Sequence, residues 1–328
     1  MMAARAFNNA APPPPPIPVI KLNGKIISTP GNICNIQAGV KAGKTAAVGA
    51  ILAAMFNGNR QGPDTLGFSS ENVAGKAVIH FDTEQSVYDH DQLIRRALRR
   101  AWLTEPPAWF SSYCLTDLDI KNRKLVIEAA VREASARHGG VFAILIDGVA
   151  DLCASPNDEA ESLAFVGQLQ ADAITHGCAM LTVLHENPGS ENGKMRGHLG
   201  SQLERKAETP LRLAKDPATG ITTIWSDRAR HNHFPKEDGA CFQWSDEKGM
   251  HVSIGTAREI KAGVKNAKVR AEAEAAFGDA ASLTYAELIK GIMAATSLTE
   301  RTAERRVTAY QNDGVTVKLP SGNYALKP

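Results

Sequence analysis

Ala38-Gly39-Val40-Lys41-Ala42-Gly43-Lys44-Thr45 is the stretch of this chain whose residue types and spacing most directly imply chemistry. Small residues allow successive backbone N–H groups to fold around phosphate oxygens, and a helix opening at the end of the stretch adds the partial positive charge of its N-terminus. Lys44 would bridge the outer phosphates and Thr45 would offer a hydroxyl to Mg²⁺, with the cradle continuing to Ala46. The spacing is that of a P-loop with Ala38 in place of the first glycine. A chance glycine-rich turn is the plain alternative. Against it, an apolar strand-like run (Asn32 to Gln37) precedes the loop and a helix-like run (44–57) follows it, as phosphate binding requires.

Two carboxylate positions extend the pattern. Phe142-Ala143-Ile144-Leu145-Ile146-Asp147 reads as a buried strand ending in an acid, about 100 residues beyond Lys44, which suits delivery of Asp147 to a metal's water shell. Ala77 to Asp82 reads as another strand, followed by Thr83-Glu84-Gln85-Ser86. Glu84 is the candidate base for in-line attack by water, with Asp82 as its substitute. The alternative is that either acid caps the helix expected over 86–101.

The elements that must hold these residues follow from periodicity. Asn32 to Gln37, Ala77 to Phe81, Phe142 to Ile146 and Ala179 to Leu184 are short apolar runs. They alternate with helix-like segments at 44–57, 86–101, 122–138 and 157–176, which predicts an α/β domain with a mostly parallel sheet flanked by helices. Ile221 to Ser226 and Cys241 to Trp244 follow without intervening helices, so an antiparallel extension at one edge is expected. Residues 256–280 are rich in Ala, Lys and Glu and predict an exposed helical linker between a domain at 19–255 and a small one at 281–328. The latter reads as helix, helix, hairpin, the outline of a winged helix. Residues 1–18, with Pro12 to Pro16, predict a flexible or polyproline-like tail.

Composition sets the outer bounds. The 328 residues are 43% hydrophobic and 22% charged, ample for a large core, and the net charge of +2 gives no global field for a polyanion. Five cysteines, at 34, 114, 153, 178 and 241, form neither a disulfide framework nor a zinc ladder, and no apolar run approaches bilayer length. A cytoplasmic protein with no membrane association is the expectation.

Together with Leu181 to His185 and Arg196-Gly197-His198-Leu199-Gly200-Ser201, these elements resemble the RecA-like ATPases over about residues 20–252. The nearest likeness is to the hexameric replicative helicases of plasmids, with the DnaB and KaiC groups as relatives. The resemblance implies ATP and Mg²⁺ as cofactors, Glu84 as water-activating residue and His185 as sensor of the γ-phosphate. It also implies a channel loop over Glu186 to Ser201 that touches single-stranded DNA through Lys194, Arg196 and His198. Arg228 or Arg230, after the strand ending near Ser226, would then reach a neighbouring subunit's nucleotide, which requires a ring, expected as a hexamer. Gly148 departs from the family, where many relatives carry Ser or Thr after the strand-ending Asp.

Two basic clusters remain. Arg95, Arg96, Arg99 and Arg100 on one helix read first as a solvated or subunit-facing surface and second as a DNA contact. Residues 257–328 carry a surplus of three positive charges, and Thr299 to Arg306 resembles a recognition helix with Arg301 and Arg305 exposed; DNA and protein partners both suit it. The functional expectation is a motor that hydrolyses ATP while moving on DNA or unwinding it. The alternative is an ATP-switched DNA-binding regulator without unwinding activity.

Overall fold

The computed structural model describes residues 6–58, 60–185 and 197–327. Two compact units divide the chain, residues 1–257 and 258–328. The larger begins with β1 (Ile20–Leu22), β2 (Lys25–Ser28), β3 (Ile33–Ala38), α1 (Lys44–Asn57), β4 (Phe68–Ser69) and β5 (Ala77–Asp82). It continues through α2 (Val87–Arg100), β6 (Phe110–Cys114), α3 (Ile120–His138), β7 (Val141–Asp147), α4 (Glu159–His176) and β8 (Ala179–His185). After α5 (Gly197–Lys206) come β9 (Thr209–Lys215), β10 (Thr222–Trp225), β11 (Ala240–Ser245) and β12 (Met250–Thr256).

Nine strands form one sheet in the order β12-β11-β10-β9-β3-β8-β7-β5-β6. From β9 to β6 every pairing is parallel, and β10, β11 and β12 add the antiparallel edge. The central strands are apolar and buried on both faces, as a parallel sheet between helix layers demands. Side chains alternate along β7. Ala143 and Leu145 face the core of α1 and α2, while Ile144 and Ile146 face that of α3, α4 and α5. Helix α1 is buried almost from end to end, which explains its all-round apolar sequence. Ser86, Asp119 and Asp158 start α2, α3 and α4 by accepting hydrogen bonds from the third residue of each helix. β1, β2 and β4 make a separate small antiparallel sheet.

The smaller unit comprises α6 (Ala257–Phe277, beginning at the boundary), α7 (Tyr285–Thr296), α8 (Glu300–Asn312) and the hairpin β13 (Thr316–Lys318) to β14 (Tyr324–Leu326). Its core includes Val269, Ala273 and Phe277 of α6 with Leu288, Ile292, Val307 and Tyr310. The stretch expected as an exposed linker is therefore only partly that: the second half of α6 is a packed element of the small unit. Its buried stripe is only Val269, Ala273, Ala276 and Phe277, a faint signal in an Ala-rich background. Gly291 allows the close approach of α6 and α7, because a Cβ there would lie 2.2 Å from the Ala276 carbonyl oxygen. A bridge from Leu283 to Tyr324 joins the start of α7 to the hairpin.

Among the described residues no helix is long and apolar enough to cross a membrane. All five cysteines are free thiols, four of them buried.

Candidate active site

Four adjacent parallel strands, β3, β8, β7 and β5, bring the acids, the lysine and the histidine together at their C-terminal ends. β3 stops at Ala38, and the chain turns through Lys41 (φ 60°) and Gly43 (φ 93°) into α1. Gly43 has a structural reason to be glycine: its φ is left-handed, and a Cβ would lie 3.0 Å from the Phe242 ring of β11. The antiparallel extension thus forms the floor of the loop, and the Thr222 hydroxyl of β10 adds a hydrogen bond of 3.4 Å to the Ala42 carbonyl. No side chain caps α1, which leaves its first N–H groups directed at the loop. Val40 and Thr45 are exposed, and Ala46 is half-buried.

Lys44 is nearly buried, with its ammonium donating to the carbonyls of Ala38 (3.3 Å) and Gly39 (3.4 Å). It also lies 2.6 Å from Nδ1 of His185, at the end of β8. An ammonium can only donate, so Nδ1 accepts, and the proton sits on Nε2. That Nε2–H donates to Oε2 of Glu84 at 2.8 Å. Lys44, His185 and Glu84 therefore form one line, although 141 residues separate Lys44 from His185.

Asp147 ends β7 directly opposite Asp82 in the register of β5. Burial, then the negative charges of Asp82 and Glu84, push its carboxyl up to about 8, with Lys44 opposing. An acid so crowded by carboxylates is one that a divalent cation would ionise, and Thr45, exposed at the start of α1, carries a neutral oxygen; both are donor types that Mg²⁺ takes. Among the described residues no group of three or more His, Cys, Asp or Glu could hold a metal ion by itself. Mg²⁺ ordinarily relies on one or two protein oxygens plus phosphates and water, so this donor set and that fact agree.

Both oxygens of Asp82 are engaged, unlike those of an acid open to solvent. Asp82 is fully buried, its Oδ1 accepts from the backbone N–H of Glu84 and Gln85, and its Oδ2 accepts from the Gln85 amide and His90. Burial acts to raise its pKa, but hydrogen bonds from His90, Gln85 and Glu84 outweigh it and hold the carboxyl below its ordinary range. Nor does either acid cap α2, since Ser86 does. Gly148 also finds its explanation. Its φ is 90°, and a Cβ would sit 2.2 Å from the Thr83 hydroxyl, which occupies that space and donates to the carbonyls of Gly148 (2.8 Å) and Asp147 (3.1 Å).

The outlying candidates are arranged differently. Arg228 and Arg230 lie in the exposed loop beyond β10 and not on the strand, so strand alternation does not set their direction. Arg228 is 3.0 Å from Glu204, and Arg230 donates to the Lys206 carbonyl. His198 is exposed in the first turn of α5, a helix where a loop was expected, while Lys194 and Arg196 lie outside the described residues. On α2 the arginines divide. Arg100 is buried and donates to the carbonyls of Asp64 and His251, Arg99 donates to Gly249, Arg95 pairs with Asp91, and Arg96 is exposed. Arg301 and Arg305 are exposed on α8, whereas Arg306 pairs with Glu272 of α6.

Two depressions frame the picture. One of about 90 Å³ beside Thr45 and Ala46 is walled by Arg96, Trp244 and His251, none of which periodicity alone would link to the loop. A larger groove of about 610 Å³ lies between α3 and α4 on the opposite face and contains none of the candidate residues. No protein-family model matches the chain, and no curated protein matches it.

Proposed function

We propose that this chain is a Mg²⁺-dependent ATPase of the RecA-like type that assembles into a ring and couples hydrolysis to movement along, or unwinding of, DNA. The observation that carries the reading is the line Lys44–His185–Glu84 beside buried Asp147, at the ends of four adjacent strands. In this reading Ala38 to Ala46 is a P-loop. Its backbone N–H groups and Lys44 bind the phosphates, and Thr45 and Asp147 hold Mg²⁺. The metal, when bound, would neutralise charge developing on the phosphoryl oxygens. Glu84 orients a water molecule and takes its proton. Lys44 cannot serve a phosphate and His185 equally, so engagement of a phosphate weakens the 2.6 Å contact. His185 then shifts against Glu84, and the change reaches residue 186 and the expected channel segment directly through the chain. Trp244, half-exposed in the depression beside Thr45, offers a nucleobase a flat stacking partner.

Arg228 or Arg230, exposed beyond β10, would complete a neighbour's site, which makes the active unit an assembly. In the small unit α6, α7, α8 and the β13–β14 hairpin support a winged helix that binds duplex DNA through α8. The exposed pair Arg301 and Arg305 also supports the alternative, an ATP-switched DNA-binding regulator. Strand displacement separates the two.

The test is the ATPase rate with and without single-stranded DNA, for the wild type and Glu84→Gln. Loss of a positioned general base lowers turnover by about 10²-fold or more while nucleotide binding persists. Undiminished hydrolysis by the variant would remove Glu84 from the mechanism, and a wild type that ignores ATP would remove the whole reading.

A further inference from the structure

Behind Asp82 lies a chain of polar side chains that the chemistry above does not use. Asp82 accepts from Nδ1 of His90 at 3.3 Å, Nε2 of His90 is 3.0 Å from the Ser112 hydroxyl, and that hydroxyl is 2.8 Å from Nδ1 of His80. His80 and Ser112 are register partners on β5 and β6, His90 projects from α2, and the two imidazoles stack at 5.5 Å. His80 is fully buried, and its Nε2 has no hydrogen-bond partner among the described residues.

The polarity of the chain follows from its two ends. An ionised carboxylate only accepts, so Nδ1 of His90 carries the proton. At the buried end a bare Nε2 places the His80 proton on Nδ1, which donates to the Ser112 hydroxyl, and that hydroxyl then donates to Nε2 of His90. His80 is neutral, since burial pushes its pKa down to about 3, with Asp82 opposing and His90 adding. In this order the unpartnered atom at the buried end is a bare ring nitrogen. The reverse order would bury an unpaired N–H there, the costlier arrangement. The network thus favours one direction of donation, and it ends on Asp82, which holds the backbone N–H groups of Glu84 and Gln85 at 3.0 Å each.

We propose that His90, oriented by Ser112, is a positioning residue for Glu84: it fixes the Asp82 carboxylate, and Asp82 fixes the turn that aims the Glu84 side chain at the reacting water. The inference rests on the reading of Glu84 as the water-activating residue. It assigns a role to α2 that its arginines do not have, and it gives two histidines and a serine on three elements a common purpose.

His90→Phe keeps a ring and removes the donor, and His90→Asn restores a donor near the Nδ1 position. Misaiming a base by a fraction of an ångström to 1 Å costs about 10- to 100-fold in turnover, so His90→Phe is expected to lose about tenfold or more in kcat. KM for MgATP should stay within about twofold, because the loop and Lys44 are untouched, and His90→Asn should recover most of the loss. The decisive measurement is the same substitution in a Glu84→Gln background, where no further loss is expected, since an absent base cannot be misaimed. Should His90→Phe fail to fold, Ser112→Ala, which frees the ring without removing the Asp82 contact, carries the same comparison with a smaller loss of about two- to fivefold. Full kcat in the variant, or an equal fall with Glu84 already replaced, overturns the proposal and leaves the ATPase reading intact. A wild type without ATP hydrolysis overturns the reading itself and the inference with it.

Discussion

Replacing Gly148 by alanine adds one methyl group at the point where β7 hands over from Asp147, and the consequences can be worked out from the neighbouring atoms. The glycine has φ 90° and ψ 40°, a left-handed conformation costing a residue with a Cβ about 1–2 kcal/mol. The new Cβ would stand 2.2 Å from the Thr83 hydroxyl and 2.6 Å from Cγ of Glu84, so both side chains must move. Moving Thr83 breaks its bond to the Gly148 carbonyl, worth about 1 kcal/mol net. The sum is about 2–3 kcal/mol, and for a unit of this size thermal unfolding should fall by roughly 4–12 °C. With Glu84 activating water as proposed, its displacement should lower turnover by about tenfold or more. Differential scanning calorimetry and steady-state ATPase measure the two effects. Thr83→Ala removes one of the two groups that are struck; in that background Gly148→Ala should cost about 1 kcal/mol less, the backbone strain and the displacement of Glu84 remaining. A Gly148→Ala protein that melts with the wild type, or one whose cost is the same with and without Thr83, would refute the reasoning.

The arginines offer simpler tests. Arg100→Ala, which strips donors from the carbonyls of Asp64 and His251, should destabilise the larger unit by about 1–3 kcal/mol in urea titration while leaving DNA affinity unchanged. Arg301→Ala and Arg305→Ala, at exposed positions on α8, should leave stability within about 0.5 kcal/mol. Each should also reduce the slope of log affinity for duplex DNA against log salt by about one, measured by fluorescence anisotropy.

The chain's elements were legible for a physical reason: in a sheet covered on both faces, strands are continuous apolar runs, and the helices between them are long, with α2, α3 and α4 opening on a capping side chain. The helices expected at 44–57, 86–101 and 157–176 lie within two residues of α1, α2 and α4, because Gly43, Ser86 and Asp158 mark their starts. The mostly parallel sheet and its antiparallel edge follow from the same alternation. Less was visible where the pattern is mixed. β6, with the sequence Phe-Ser-Ser-Tyr-Cys, is half-buried throughout and carries no apolar signature, and α5 opens with Gly-His where a loop was expected. α6 looked solvent-facing because only four of its residues are buried, two of them alanines.

Sequence by itself determined that a loop with P-loop spacing, a strand-ending Asp147 and an acidic turn at 82–84 exist in this chain and in this order, since each is a local pattern of residue types. What only the tertiary structure decided is which of those acids is enclosed and which is open. Asp82 and Glu84 are two residues apart and chemically alike, yet one is sealed under four hydrogen bonds and the other is joined to Lys44 through His185. The difference comes from the alternation that turns Asp82 into the α1–α2 side of the sheet, where Glu84, Gln85 and His90 close over it, and from His185, 101 residues distant, which reaches Glu84. A carboxylate's role depends on what surrounds it in space, and no spacing along the chain encodes that.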